Sequence, residues 1–168
     1  MSFISKGKTV TNKTIKTEDA DASIDLLELG RQRAQNSGVL FAGLLYPSEA
    51  WALLREGKAV LIDVRTAEER KFVGRVPGTP HVAWKHGPDM AQNTRFVQEV
   101  EAIAPRHAVI LLLCRSGVRS VAAAKALTQA GFANAFNVLE GFEGELDSNQ
   151  QRGKCNGWRY AGLPWKQD

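Results

Sequence analysis

Two short runs, Ala59-Val60-Leu61-Ile62-Asp63-Val64 and Val109-Ile110-Leu111-Leu112-Leu113, are apolar at almost every position. A half-exposed strand alternates in polarity. An unbroken apolar run of this length, rich in β-branched residues, reads as a strand covered on both faces, as in a parallel sheet between helices. Helical patterns separate the runs. Ser48 is a candidate N-cap for a helix that buries Ala50, Trp51, Leu53 and Leu54. Residues 94–104 carry Phe96, Val97, Val100 and Ile103 at helical spacing and stop at Pro105. Residues 120–130 read as an alanine-rich helix closed by Gly131. Ala135-Phe136-Asn137-Val138-Leu139 reads as a further strand, and His81-Val82-Ala83-Trp84 as a weaker one. Residues 66–73 are helical or looped, and Val76-Pro77-Gly78-Thr79-Pro80 is a turn. Strands alternating with helices predict right-handed crossovers and an α/β fold with helices on both faces of a parallel sheet.

The 168 residues suit one domain with an extension. Residues 1–22 are polar and without periodicity, and are expected to be a mobile extension. Residues 23–43 hold a helical segment, with Ile24, Leu27 and Leu29 roughly on one face, expected to pack on the outside of a domain spanning 44–168. The net charge of +4 is local, because Lys6, Lys8, Lys13 and Lys16 stand among sixteen residues without an acid. The rest of the chain balances, so a nucleic-acid partner is not expected. No run approaches the length of a membrane span and no leader pattern opens the chain, so a cytoplasmic protein without a membrane partner is expected.

Of the two cysteines, Cys114 and Cys155, neither has metal-ligand spacing, and a disulfide framework is excluded. Cys114 directly follows the second apolar run and opens Cys114-Arg115-Ser116-Gly117-Val118-Arg119-Ser120. The carboxyl edge of a parallel sheet is where ligands bind. Loop amides and the following helix N-terminus are expected to converge there on negative charge, with Arg115 and Arg119 adding two cations. Gly117 allows a backbone conformation that other residues resist. Such a setting favours the thiolate, and equally a persulfide anion, an oxyanion or a phosphate. The Cys114–Arg119 spacing is one residue shorter than in cysteine phosphatases, and the tighter ring suits a single terminal sulfur better than a tetrahedral phosphate.

Together these segments resemble the single-domain rhodaneses, the thiosulfate sulfurtransferase family. The resemblance rests on Val60-Leu61-Ile62-Asp63-Val64-Arg65 with Glu68-Glu69, on Gly74-Arg75-Val76-Pro77-Gly78-Thr79-Pro80-His81-Val82, and on the Cys114–Ser120 loop. Leu139-Glu140-Gly141 and Trp158-Arg159-Tyr160-Ala161-Gly162-Leu163-Pro164 complete it over about residues 44–165. It implies a rhodanese-like fold with a five-stranded parallel sheet. Cys114 would be the nucleophile and would carry sulfane sulfur as a persulfide. The backbone of Arg115, Ser116, Gly117, Val118 and Arg119 would cradle the outer sulfur. The donor would be a small sulfur anion such as thiosulfate, and the acceptor a thiol or a protein. No metal or organic cofactor is implied.

Around this centre several readings stay open. Asp63 either accepts hydrogen bonds from the active loop or pairs with an arginine. Arg65 is expected to pair with Glu68 or Glu69 rather than contact the substrate, and Ser120 to support the loop. Arg75, where many relatives have histidine, is expected to change local pairing only. Trp84, Phe142 and Trp158 either wall the pocket or fill the core. Residues 142–157 are an insertion relative to the family. This segment either is a variable loop with an incidental Cys155 or reaches the mouth as a docking surface, with Cys155 as a resolving thiol. A persulfide carrier or regulatory module for a protein partner is the alternative function. A phosphatase or arsenate reductase on the same fold is the more distant one.

Overall fold

The computed structural model describes residues 15–168. Its principal sheet has four parallel strands in the spatial order β1 (Gly43–Leu45), β6 (Ala135–Val138), β5 (Ile110–Leu113) and β2 (Val60–Asp63). Helices α1 (Ile15–Ser37), α2 (Pro47–Arg55), α3 (Ala67–Phe72), α4 (Phe96–Glu101) and α5 (Val118–Gln129) surround it. A two-stranded ribbon, β3 (Lys85–His86) with β4 (Ala91–Gln92), lies apart. Among the described residues, no helix is long and apolar enough to cross a membrane.

The expected α/β architecture stands, with four strands in place of five. The fifth candidate, residues 81–84, runs beside β2 but forms a single parallel bridge, Asp63 to His81. Its backbone bonds, Val82 N–H to Asp63 O at 3.0 Å and Trp84 N–H to Val64 O at 2.9 Å, begin a ladder at the very end of β2. The β2 chain turns away there, so too few residues run alongside to continue the strand.

The continuous apolar runs are covered on both faces. Ile62, Val64, Ile110 and Leu112 face one core with Ala123, Ala124 and Leu127 of α5 and Phe96 and Val100 of α4. Leu61, Leu111, Leu113, Phe136 and Val138 face the other, with Ala50 and Leu53 of α2, Phe142 and Trp158. Trp158 is fully buried, donates its indole N–H to Pro164 O at 2.9 Å and meets Trp51 edge to face. Trp84 packs edge to face on Phe96. These aromatics fill the core.

Several boundaries differ from expectation. The 1–22 extension falls partly outside the described residues, and from Ile15 onward the chain is helical. Within α1, Leu29 is exposed, whereas Leu26, Leu27 and Ala34 pack inward. Gly30 lies against β1, where an added Cβ would come within 3.0 Å of the Leu45 side chain. The glycine that interrupts the apolar pattern is thus the point of closest approach. The cap of α2 is Tyr46, not Ser48, and its N–H donates to the Glu49 carboxylate at 2.8 Å. That carboxylate also takes two hydrogen bonds from Arg33 of α1, at 2.6 and 2.8 Å. The helix read over 94–104 is shorter, and the one read from residue 120 begins at Val118.

Candidate active site

Register places the cysteine. Asp63 of β2 pairs with Leu113 of β5, so both chains leave the sheet side by side, and Cys114 is the first residue past β5. It is 1% exposed. The loop turns at once into α5 through Gly117, whose φ of 91° lies in the left-handed region. This turn aims the Gly117 N–H at the Cys114 Sγ, 3.1 Å away. An N–H donor on sulfur at the head of a twelve-residue helix stabilises negative charge there.

The loop is held from behind by the turn after β6. Phe142 N–H donates to Cys114 O at 2.8 Å, and Glu143 N–H to Arg115 O at 2.9 Å. Gly141, at φ 67°, lies so close that a Cβ would stand 2.5 Å from the Arg115 carbonyl carbon. This contact gives the Leu139-Glu140-Gly141 motif its physical sense: it is the backing of the reactive loop. The 142–157 segment continues the brace. Gly153 N–H donates to Glu143 O, Arg152 donates to Gly144 O at 2.6 Å, and Glu140 accepts from Gly157 N–H.

Above the loop is a cleft of about 700 Å³, lined by Thr66, Glu68, Glu69, Gly87, Pro88, Met90, Arg115, Ser116, Val118, Arg119 and Arg152. The 142–157 segment therefore reaches the mouth, through Arg152. Cys155 is exposed and does not line this cleft. Val118 is 73% exposed at the rim.

The arginines differ from expectation. Arg119 donates to both carboxylate oxygens of Glu69, at 2.7 and 2.6 Å. These hydrogen bonds hold its guanidinium above the usual arginine range, and the charge of Cys114 acts in the same sense. Burial pushes the Glu69 carboxyl up, but the bonds from Arg119 and from Thr66 N–H outweigh it and leave the carboxyl below its ordinary range. Glu69 also belongs to the capping box of α3. Arg119 is thus a neutralised brace, and Arg115 and Arg152 are the cleft's cations without a carboxylate partner among the described residues. The sign was legible in the sequence. The pairing was not, because Glu69 is fifty positions away.

Asp63 pairs with arginine and takes nothing from the active loop. Its oxygens accept from Arg65 Nε at 3.0 Å and Arg65 Nη2 at 2.7 Å. The expectation that Arg65 pairs with Glu68 or Glu69 is corrected: it is wholly buried, bonds Asp63 and Gly74 O, and its guanidinium lies 4.0 Å from the Phe142 ring centroid. Two residues in sequence, turned back across the end of β2, satisfy one another before the glutamates come within reach. Arg70 approaches Asp63 at 3.7 Å, and burial lowers its guanidinium from the ordinary value. Arg75 pairs with Asp168 and bridges to Lys166.

Ser120 and one residue not singled out as functional complete the sulfur's surroundings. Ser120 Oγ lies 3.1 Å from Cys114 Sγ and donates to Asn137 Oδ1 at 2.5 Å. Asn137 Nδ2 donates to Gly117 O at 3.3 Å. The available signal was a lone amide in an otherwise apolar strand. Among the described residues, no cluster of three or more His, Cys, Asp or Glu side chains is arranged to hold a metal.

Residues 46–145 match the rhodanese-like domain. The chain is 41% identical to the crystal structure of Rv0390 from M. tuberculosis, with a TM-score of 0.70 over 77% of this chain and all of the other. It is 30% identical to the thiosulfate sulfurtransferase GlpE of Actinobacillus succinogenes, over 70% of this chain and 85% of that one. An uncharacterised protein of Rickettsia conorii is 35% identical over 68% of this chain and 88% of its own length. The buried thiol on the carboxyl edge of a parallel sheet, its glycine-headed loop and these likenesses agree: the chain belongs to the rhodanese-like domain family.

Proposed function

We propose that the protein is a sulfurtransferase that carries sulfane sulfur as a persulfide on Cys114. The Cys114 thiolate attacks the outer sulfur of thiosulfate or of an organic persulfide. A sulfur–sulfur bond forms at Sγ, and sulfite or a thiolate leaves with the electron pair of the bond that breaks. A thiophilic acceptor, cyanide in an assay or a thiol or protein in the cell, then attacks the outer sulfur and returns the Cys114 thiolate. Two covalent half-reactions predict ping-pong kinetics. The observation carrying this reading is the Gly117 N–H on Sγ at 3.1 Å, in a loop facing a cleft that holds Arg115 and Arg152. These donors oppose the negative charge that the donor brings and the persulfide keeps. The two free cysteines suit a reducing compartment such as the cytoplasm.

A second reading, a carrier that delivers sulfur only to a bound protein, is favoured by the cleft's size. About 700 Å³ far exceeds the needs of a thiosulfate ion, and the rim exposes Val118. The phosphatase alternative is disfavoured, because Arg119 is turned onto Glu69. The test is the intact mass of reduced protein before and after thiosulfate, beside Cys114→Ser. One added sulfur on the parent alone, removed by cyanide as thiocyanate, is expected. Loading without cyanide turnover selects the carrier. No loading from thiosulfate or from an organic persulfide overturns the relay.

A further inference from the structure

Two neighbouring glutamates of α3 line the cleft and are used differently. Successive helical positions point about 100° apart, so the two carboxylates do not share one partner. Glu69 is taken up by Arg119 and the Thr66 N–H. Glu68 has no ion-pair or hydrogen-bond partner among the described residues, although Arg115 and Arg152 line the same cleft. Its carboxylate therefore stands more than 4.0 Å from either guanidinium. An added Cβ on Gly87 would come within 2.9 Å of Glu68 Oε2, so the bare glycine leaves room for the carboxylate against the turn between β3 and β4. A neighbouring depression of about 310 Å³ also includes Glu68 and Gly87, so the open space continues past this carboxylate.

That charge does not serve thiosulfate, a dianion that a carboxylate in the cleft repels. A two-step relay uses the same cleft for its acceptor as well. A ligand that gains from both signs brings an anion to Arg115 and Arg152 and a cation to Glu68, with its own skeleton keeping them apart. A cleft of about 700 Å³ suits a molecule of peptide size better than one of a few atoms, and Pro88, Met90 and Val118 give its skeleton an apolar wall. We propose that the cleft takes a small peptide thiol with a free ammonium and a free carboxylate, the ammonium on Glu68 and the carboxylate on Arg115 and Arg152. Glu68 is then a specificity residue for the acceptor.

The chemistry of this step rests on the persulfide reading above, whereas the recognition does not. The acceptor R–SH attacks the outer sulfur of Cys114–S–S⁻. A bond forms between the two incoming and outer sulfurs, and the bond from the outer sulfur to Sγ breaks with its electron pair on Sγ. The thiol proton passes to the outer sulfur, which leaves as R–S–SH, and Cys114 returns to the thiolate. Atoms and charge balance without a further reactant.

The test is binding of the S-methylated dipeptide Gly-Cys, which cannot react, to the full chain by NMR shift titration. Its N-acetyl form lacks the ammonium, and its C-terminal amide lacks the carboxylate. Each is expected to bind the parent about two- to fivefold more weakly, as for a solvent-exposed ion pair. In Glu68→Gln acetylation should cost nothing, and in Glu68→Lys the acetylated form should bind the tighter. Glu68 is exposed, so neither substitution disturbs the core. No shifts at the cleft, no effect of acetylation on the parent, or the same effect in Glu68→Gln overturns the assignment and leaves Glu68 a solvated surface carboxylate. With thiosulfate as donor, the free dipeptide thiol should show a KM about two- to fivefold below that of its N-acetyl form, with kcat held. Equal KM values overturn its place as acceptor. If Cys114 never loads while binding discriminates, the persulfide reading fails and the recognition stands. If Cys114 loads and all three dipeptides bind alike, the relay stands and the recognition fails.

Discussion

The carboxyl ends of β2 and β5 lie side by side and treat charge in opposite ways. After β2, Asp63, Arg65 and Arg70 pair among themselves, and Arg65 is sealed under Phe142. After β5, the sulfur's partners within hydrogen-bond reach among the described residues are uncharged, the Gly117 N–H and the Ser120 hydroxyl. Arg119, at the head of α5, is already held by Glu69. The first end is a bolt in which the carboxylate is held by Arg65 and approached by Arg70, while Arg65 Nη1 and Arg70 Nη1 are buried without a hydrogen-bond partner among the described residues. The second leaves Arg115 and Arg152 facing a cleft. An active edge of this kind depends on its neighbour: one strand end fastens the turn, and the other leaves its charge for an incoming anion.

The comparison breaks most visibly at the bolt. Arg65→Ala leaves the Asp63 carboxylate buried with only the more distant Arg70, and should cost about 3–5 kcal/mol in urea unfolding. A loss below about 1 kcal/mol would show that Arg70 or water takes its place.

A smaller effect is expected at the brace between the two ends. Glu69→Gln should cost about 1 kcal/mol at neutral pH, given the partial exposure of the pair. Because the folded carboxyl sits below its ordinary range, its stabilisation is complete above the unfolded value near ~4.3 and is lost as pH falls through the folded one. Unfolding curves of parent and Glu69→Gln should therefore converge on acidification. Parallel curves across that window would show that the Arg119 bond contributes nothing.

The smallest effect is expected at the cleft. Arg152→Ala removes one of its two cations without a carboxylate partner and should raise KM for an anionic donor by about two- to fivefold, with kcat held. An equal fall in kcat would instead show that the 142–157 brace on the loop backbone had loosened.

Local chemistry made much of this legible. The runs at 59–64 and 109–113 read as strands covered on both faces, and a cysteine directly after one of them, with glycine and arginine following, reads as a loop at the sheet's ligand edge. Motif, spacing and sign of charge were all readable in neighbouring residues. What the tertiary structure alone decided is which partner each polar group meets. Arg119 meets Glu69 across fifty positions, Arg152 comes to the cleft from the 142–157 segment, and Asn137 reaches Ser120 from a strand that otherwise reads as apolar. The strand at 81–84 was reduced to one bridge by where β2 ends, and Gly30 became a contact instead of a break. The physical reason is range. Backbone preference and burial act within a few residues of sequence, whereas a hydrogen bond forms between whichever groups the fold brings within about 3 Å.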